Sequence, residues 1–303
     1  MNDTLFRRSF RVAVGNKLFE SINGDRSLSV SFHVQRDASI TPNVVNLQVL
    51  NLSDATRSEL SEMAAGAGVP VRLDAGYQEQ LGTIFFGAMR RLASWRDGTE
   101  WITHLSGDDK GDELITAKIS RTFVAGTKVS EAVRVLVTAL GVDRGSLDNT
   151  LRALDLSGLL TGGNVLPRPL TLHGDAATAL DQLMRSCGLY WSIADGAFVA
   201  GSVGQPALPG QGPLLTPNTG LVDTPHFNAK GALVGRALLN PDLLPGRVFR
   251  VQSTRVTGTF LCSKTIHRGD SFGRDWYVDF IGTPPAANSK AALLATALGD
   301  TGF

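Results

Sequence analysis

The sequence has few of the features by which a secreted domain or a membrane protein is recognised. It contains only two cysteines among 303 residues, too few for a disulfide framework. No apolar run approaches the roughly 18 residues that a membrane-spanning helix needs. The N-terminus carries no hydrophobic segment of the signal-peptide kind, which predicts a chain that stays in the cytoplasm where it is made.

An excess of charge of one sign is also missing. Lys and Arg total 29 against 28 Asp and Glu, and the largest local excess, in residues 211–303, is 9 basic against 6 acidic residues. A protein that neutralises many phosphates needs a concentrated basic surface. We therefore expect neither sequence-specific nucleic-acid binding nor stable membrane association.

What the sequence does contain is β-structure in its first and last thirds. Apolar and polar residues alternate there with the two-residue period of half-buried strands. The segments are 28–35, 45–49, 69–75, 81–95 and 99–105, then 232–239, 247–251, 259–266 and 276–281. One helix interrupts the first set, and its expected N-cap is Ser53.

The middle third has helical periodicity instead. One helix is predicted from an N-cap at Thr127 to Gly141, and a second follows an N-cap at Asp175. A short strand, Leu170 to His173, precedes the second helix, and a hairpin that turns at Asp195-Gly196 follows it. These elements predict a compact β-α-β-β unit.

The predicted fold class is mainly β with an α+β insert. The expected order is a first β-domain over 1–125, an insert over 126–203, a linker rich in proline and glycine over 204–220, and a second β-domain over 221–303. An alanine-rich tail is expected from Pro284 onward.

The sequence contains one literal G-x-S-x-G motif, at residues 269–273. In hydrolases this motif presents a nucleophilic serine, and the catalytic histidine follows it along the chain. No histidine follows His267 here, and the residues after Ser271 read as a strand. We interpret the motif, and the overlapping Arg-Gly-Asp tripeptide, as a hairpin turn.

Other reactive side chains also favour structural roles. The five histidines have no metal-ligand spacing, and Cys187 and Cys262 read as small buried thiols. His267 is expected to contact Asp270, the acidic residues of 108–113 to form a solvated loop, and Trp95 and Trp101 to pack across a hairpin. No catalytic, cofactor-binding or metal-binding residue is predicted, and no cofactor.

Three local patterns, in order and in spacing, resemble the baseplate hub proteins of contractile-tailed phages, the late-control tail proteins. The first is Leu50-Asn51-Leu52-Ser53 with Arg57, and the second is Val71-Arg72-Leu73-Asp74-Ala75-Gly76-Tyr77 followed by Ile84-Phe85-Phe86-Gly87. The third is Leu239-Asn240-Pro241 with Pro245-Gly246, followed by Ile266-His267-Arg268-Gly269-Asp270 and Trp276. The match covers most of residues 5–282.

The resemblance implies two tube-like β-barrel domains flanking the insert, and a homotrimer whose six similar barrels form one ring. It implies a non-enzymatic hub in the virion tail baseplate, with the tail spike, the tail tube or its initiator, the tape measure and the baseplate wedge proteins as partners. Two alternatives stay open on the residues alone: a tail-associated cell-wall hydrolase, and a distal-tail receptor-binding module.

Overall fold

A computed structural model describes residues 7–22, 28–66, 68–78, 81–109, 111–142, 147, 151, 165–208 and 210–286. The chain divides into two compact units. The described residues of 1–37, 43–109 and 210–284 form the first unit, and those of 38–42, 110–209 and 285–286 form the second. None of the described helices is long and apolar enough to cross a membrane.

The secondary structure is mainly β, as the alternating patterns predict. The strands are β1 Arg8–Val14, β2 Lys17–Ser21, β3 Val30–Asp37, β4 Val44–Leu50, β5 Pro70–Tyr77, β6 Gly82–Asp97, β7 Glu100–Asp108, β8 Lys118–Phe123, β9 Leu170–Asp175, β10 Leu189–Ala194, β11 Ala197–Ser202, β12 Gln211–Leu215, β13 His226–Phe227, β14 Leu233–Leu238, β15 Val248–Gln252, β16 Thr257–Asp270 and β17 Trp276–Thr283. The helices are α1 Asp54–Ala64, α2 Gly111–Thr116, α3 Val129–Ala139 and α4 Ala176–Ser186, with a 3-10 turn at Pro217–Thr219.

The first unit contains one continuous sheet built from both ends of the chain. Its strand order is β13-β14-β17-β16-β3-β4-β7-β6-β5-β1-β2, with β15 beside β16 and β12 beside β15. We call strands β1–β7 the first β-region and strands β12–β17 the second β-region. The two regions meet where β16 pairs antiparallel with β3, from Lys264 opposite Asp37 to Asp270 opposite Ser31. We call this pairing the junction. Residues more than 200 positions apart are neighbours there.

Two hydrophobic clusters fill the first unit. The larger one combines residues of β1 and β3–β7 with Leu52 and Leu60, and it also contains Leu239 and Trp276 from the second β-region. The smaller one includes three aromatic rings, those of Phe249, Phe260 and Phe280. The second β-region therefore contributes to the core of the first.

Trp276 stabilises the junction on the side of the sheet that faces the core. Its indole N–H donates a hydrogen bond of 3.0 Å to the backbone oxygen of Gly76 in β5. Its ring meets that of Phe32 edge-on, with 5.3 Å between the centroids. A Cβ atom on Gly269, opposite Phe32, would lie 2.1 Å from this phenyl ring, so the close approach requires glycine.

The second unit has its own core. β8 pairs with β9, and β10 pairs with β11, each antiparallel. The predicted hairpin is confirmed: Asp195 and Gly196 have φ of 54° and 79°, the two positive values that a type I′ turn needs. The buried faces of α3 and α4 pack together with these strands in one cluster, which includes Leu136, Leu180 and Trp191.

Some local predictions are confirmed and others are wrong. The Ser53 hydroxyl caps α1 by accepting from the Thr56 N–H at 3.2 Å, as expected. The N-cap of α3 is Lys128 rather than Thr127, and its side chain makes no capping bond. The hairpin of β1 and β2, which turns at Gly15-Asn16, was not predicted at all.

The expected linker contains a strand. β12 pairs in parallel with β15, and Leu215 is fully buried. Pro213 is tolerated because, in the described part of the sheet, β12 lies at an edge and needs no second partner for its backbone. β8, which the sequence pattern groups with the first β-domain, pairs with β9 in the second unit. Residues 287–303 of the expected tail lie outside the described residues.

Candidate interaction surface

The G-x-S-x-G motif forms a turn, as predicted. β16 ends at Asp270 and β17 begins at Trp276. The Ser271 hydroxyl donates to the backbone oxygen of Leu28 at 3.1 Å and accepts from the Val30 N–H at 2.9 Å. The hydroxyl therefore links the turn to the start of β3.

His267 does not contact Asp270, contrary to expectation. It points to the core side of β16 and is completely buried, whereas Asp270 lies on the other face. Burial and, secondarily, the Arg36 guanidinium lower the pKa of His267 to about 3, although the Asn240 backbone acts in the opposite direction. Neither imidazole nitrogen makes a hydrogen bond of normal geometry within the described chain. The ring is a neutral core residue at neutral pH.

Asp108 and Asp109 form specific ion-pair and hydrogen-bond contacts within the fold and do not belong to a solvated loop, contrary to the prediction. Asp108 forms a bidentate ion pair with Arg90 at 2.9 and 2.8 Å. Asp109 is buried and accepts from the backbone and side-chain amides of Asn43 at 2.7 and 2.6 Å. The side chains of Asp112 and Glu113 lie outside the described residues.

The two tryptophans of the β6–β7 hairpin do not pack against each other. Trp95 lies opposite Ile102 in the register, and Trp101 lies opposite Arg96, so the two rings occupy opposite faces. Trp101 stacks beneath the Arg57 guanidinium, 3.9 Å from the ring centroid. The Trp95 ring lies 6.4 Å from that of His104.

The motifs that carry the family resemblance hold the fold together. Arg57 reaches the backbone oxygen of Leu52 and the carboxylate of Asp54. The side-chain oxygen of Asn51 accepts a hydrogen bond from the backbone N–H of Trp101 at 3.0 Å. The second motif corresponds to β5 and part of β6, and the third supplies residues of the junction. The described contacts of these residues are structural ones within the fold.

The cysteine and histidine side chains lie apart from one another in the described part of the chain, except for His33 and His104. Within the described ranges there is no group of three or more His, Cys, Asp or Glu that could hold a metal ion. Cys187 is partly buried, and Cys262 is fully buried, which raises the pKa of its thiol to about 12. The Cys262 thiol is therefore neutral and poorly nucleophilic at physiological pH.

The face of the shared sheet opposite the core carries mostly polar side chains, and we call it the outer face. Along β3, Val30, Phe32 and Val34 are buried on the core side, whereas Ser31 and His33 are half-exposed. The same alternation continues into β4, β7, β16 and β17. Antiparallel register aligns these residues across both β-regions, so they form a single surface.

A groove of about 300 Å³ crosses the outer face at the junction. Its lining residues are Ser31, Phe32, His33, Asn46, Gln48, His104, Arg268, Gly269, Asp270 and Asp275. His33 and His104, far apart in sequence, are brought into this one groove. Burial, followed by the nearby Arg268 charge, lowers the pKa of His33, while Asp279 raises it. Amide, imidazole and carboxylate groups equip the groove for polar contacts.

Beside this groove lies a second hollow of about 450 Å³, which we call the outer hollow. Arg236 pairs with Asp279 at 2.6 Å, and Arg268 pairs with the other oxygen of the same carboxylate. The hydrogen bond to Asp279 is the main reason why the pKa of Arg236 is raised. Two cations thus share one anion at the edge of the hollow. The apolar side chains of Val234, Ile266 and Ile281 line it as well.

Comparison with known proteins identifies the fold. No family model matches the chain, and no curated protein does either. Among solved structures, the tail protein of prophage MuSo2 from Shewanella oneidensis aligns with 92% of this chain and 98% of its own, at 9% identity and a TM-score of 0.62. A tail protein from Neisseria meningitidis aligns with 91% of this chain and 96% of its own, at 11% identity and a TM-score of 0.59.

A third similar structure comes from a secretion system. It is the E. coli protein c3393, a component of the type VI secretion system that exhibits structural similarity to the T4 bacteriophage tail proteins gp27 and gp5. It aligns with 91% of this chain and 77% of its own, at 12% identity and a TM-score of 0.58. The chain therefore has the mainly β fold of phage-type tail proteins, and the resemblance seen in the sequence is confirmed at the level of the fold.

Sequence reasoning missed the outer face. The signal was present in the alternation of Ser31 and His33 in β3 and of Asn46 and Gln48 in β4. What the sequence did not show is the pairing of β3 with β16, which adds Arg268 to the same surface.

Proposed function

We propose that the chain is a structural subunit of a phage-type baseplate hub, which forms a trimeric ring between the tail tube and the central spike. The observation that carries this proposal is the agreement in fold with phage tail proteins over almost the whole chain. The similarity to a secretion-system component that is itself similar to gp27 and gp5 supports the hub position.

The internal organisation of the first unit fits this role. Strands β1–β7 and β12–β17 provide two β-regions, one for each tube-like domain, and the junction fixes their relative position within one sheet. Three copies place six such regions around one axis, which suits a ring that faces a six-fold tube. Closed rings also cover strand edges that a monomer leaves open.

The role is mechanical and non-enzymatic. The best nucleophile motif is a turn whose serine hydroxyl is engaged by backbone groups. The chain acts by holding its partners: the tail spike, the tube or its initiator, the tape measure and the wedge proteins of a virion baseplate.

Native mass measurement combined with electron microscopy tests the proposal. The purified chain, alone and co-produced with the tube and spike proteins of the same tail, is expected to yield a three-chain annulus with an open centre. A chain that stays monomeric with those partners present contradicts the hub assignment.

A further inference from the structure

The groove at the junction contains a row of polar side chains that crosses four strands. Antiparallel register places His104 of β7 opposite Gln48 of β4. It places Ser31 of β3 between Gln48 and Asp270 of β16. All four residues line the groove, and three strand spacings, roughly 14 Å, separate the ends of the row. Because the strands are paired throughout, the sheet fixes this row before a ligand binds.

The uncharged groups of the groove have unused hydrogen-bonding capacity. The side chains of Asn46 and Gln48 are exposed, and neither amide makes a hydrogen bond within the described chain. The pKa of His33 is lowered, so its imidazole is neutral at neutral pH. Amides and neutral imidazoles both donate and accept hydrogen bonds, as hydroxyl groups do. These groups therefore match a ligand that presents hydroxyl groups.

The charged groups of the groove, by contrast, are already engaged. Arg268 pairs with Asp279, and the Asp270 carboxylate accepts from two backbone N–H groups of its own turn at 2.9 and 2.7 Å. The hydrogen bond to Asp279 is the main cause of the raised pKa of Arg236, and the Asp275 charge adds to it. A charged ligand competes with these interactions, whereas an uncharged ligand leaves them in place.

An exposed aromatic ring borders the polar row. Trp95 is 42% exposed, and it lies on the outer face because it pairs with Ile102, two residues before His104 on β7. The centroids of the Trp95 and His104 rings are 6.4 Å apart. A pyranose ring has C–H groups on its faces and hydroxyl groups around its edge, so a flat apolar ring beside polar side chains matches both.

We propose that the groove binds a neutral disaccharide. The Trp95 indole contacts the C–H face of one sugar ring, and the amides of Gln48 and Asn46 bind the hydroxyl groups of the next. Gln48 lies two strands from Trp95, roughly 10 Å across the sheet, which is farther than one sugar ring extends. The volume of about 300 Å³ is at the lower end of the range for organic ligands. Such a site adds a binding activity to the proposed hub and does not depend on the ring.

Side-chain amide signals in NMR spectra of the full chain test the site. Maltose and lactose represent the hexoses of cell-surface polysaccharides, and N,N′-diacetylchitobiose represents the amino sugars of cell walls. At least one of the three is expected to shift the signals of Gln48 and Asn46 in a saturable manner, with a Kd of about 1 mM or below. The signal of Gln252, an exposed amide on β15, should not move. The monosaccharide unit of the bound sugar should bind more weakly.

Two substitutions at exposed positions test the roles of the amide and the indole. Gln48→Ala and Trp95→Ala are each expected to weaken binding at least about fivefold, the loss typical of one hydrogen bond or one aromatic contact. Gln252→Ala and Phe86→Ala are the matched controls, since Phe86 is 41% exposed on β6 and does not line the groove. Both controls should bind like the parent chain. Circular dichroism establishes that each variant is folded.

Three results contradict the site. The first is that none of the three disaccharides shifts the amide signals of the groove. The second is that the bound disaccharide has the same affinity for the parent chain, Gln48→Ala and Trp95→Ala. The third is that glucuronic acid or glucosamine binds and the neutral sugars do not, which means that the groove selects charge. The hub assignment stands in all three cases, because it rests on the fold.

Discussion

The two β-regions of the first unit differ in how their cores are completed. The core of the first region contains Leu239 and Trp276, which the second region supplies. Among the described residues, the core of the second region, by contrast, consists of residues from 215 to 280. The contribution thus runs in one direction, although both regions have similar strands and similar alternation.

This asymmetry teaches that strand pattern alone does not define an independent domain. The first β-region is incomplete without the second, because a large cavity would remain in its core if the buried Trp276 side chain were absent. The first β-region is therefore expected to depend on the second, and substitutions at the junction measure how strongly.

The largest effect on stability is expected from removal of the Trp276 side chain, which the second β-region contributes to the core of the first. Trp276→Ala deletes a side chain that is 2% exposed, and is expected to lower the free energy of unfolding by about 3–5 kcal/mol, measured by urea denaturation. Hydrogen exchange should accelerate in β5, where Gly76 loses the indole donor.

Phe280→Ala is the control for this prediction, since Phe280 is 1% exposed but belongs to the second core. It should destabilise the second region without selectively accelerating exchange in β5. If β5 exchanges equally fast in the Trp276→Ala and Phe280→Ala variants, Trp276 does not stabilise the first β-region selectively.

An intermediate effect is expected from acid, through His267 at the junction. Burial and, to a smaller extent, the Arg36 charge on the first β-region lower its pKa from 6.5 to about 3. Below pH 6.5 the unfolded chain binds a proton that the folded chain does not bind until about pH 3. The stability present above pH 6.5 therefore falls by about 1.4 kcal/mol per pH unit as the pH drops, or about 2 kcal/mol by pH 5.

His267→Leu is expected to remove this part of the acid dependence, as followed by urea denaturation between pH 7 and pH 5. His104→Leu, which alters a half-exposed ring on the outer face, is the matched control and should leave the slope in place. A His267→Leu chain with the same acid slope as the parent would contradict the assignment of a buried neutral imidazole.

Much of the fold could be predicted because the relevant signals are local. Alternation identified most of the strands from Val30 onward, although β8 and β13 were not predicted. Ser53 and Asp195-Gly196 marked a helix start and a hairpin turn. The strand β12 was missed because Pro213 and its glycine neighbours resemble a linker, and only pairing with β15 shows otherwise.

The candidate surface was harder to predict because it depends on contacts between distant segments. Nothing in the pattern around Asp109 shows that Asn43 will bury its carboxylate. Likewise, the turn between β16 and β17 has the sequence of an ordinary hairpin connection, and only the structure shows that Arg8, more than 260 positions earlier, donates a hydrogen bond to its Gly273 oxygen. Local patterns predict elements, whereas the pairing of chain ends creates the surface.

The smallest effect is expected at Ser271, which ties the second region to the first by hydrogen bonds alone. Ser271→Ala removes its bonds to Leu28 and Val30 and is expected to lower the free energy of unfolding by about 1 kcal/mol, since a hydrogen bond contributes about that much. Ser263→Ala, which removes one bond to Ile281 within the second region, should lower the free energy of unfolding by no more than this.

The Ser271 variant also discriminates between function classes, because a hydrolase that used this serine would lose its ability to clear a cell-wall suspension. The parent chain is expected to clear no such suspension, and clearing that Ser271→Ala abolishes would overturn the structural role of the turn.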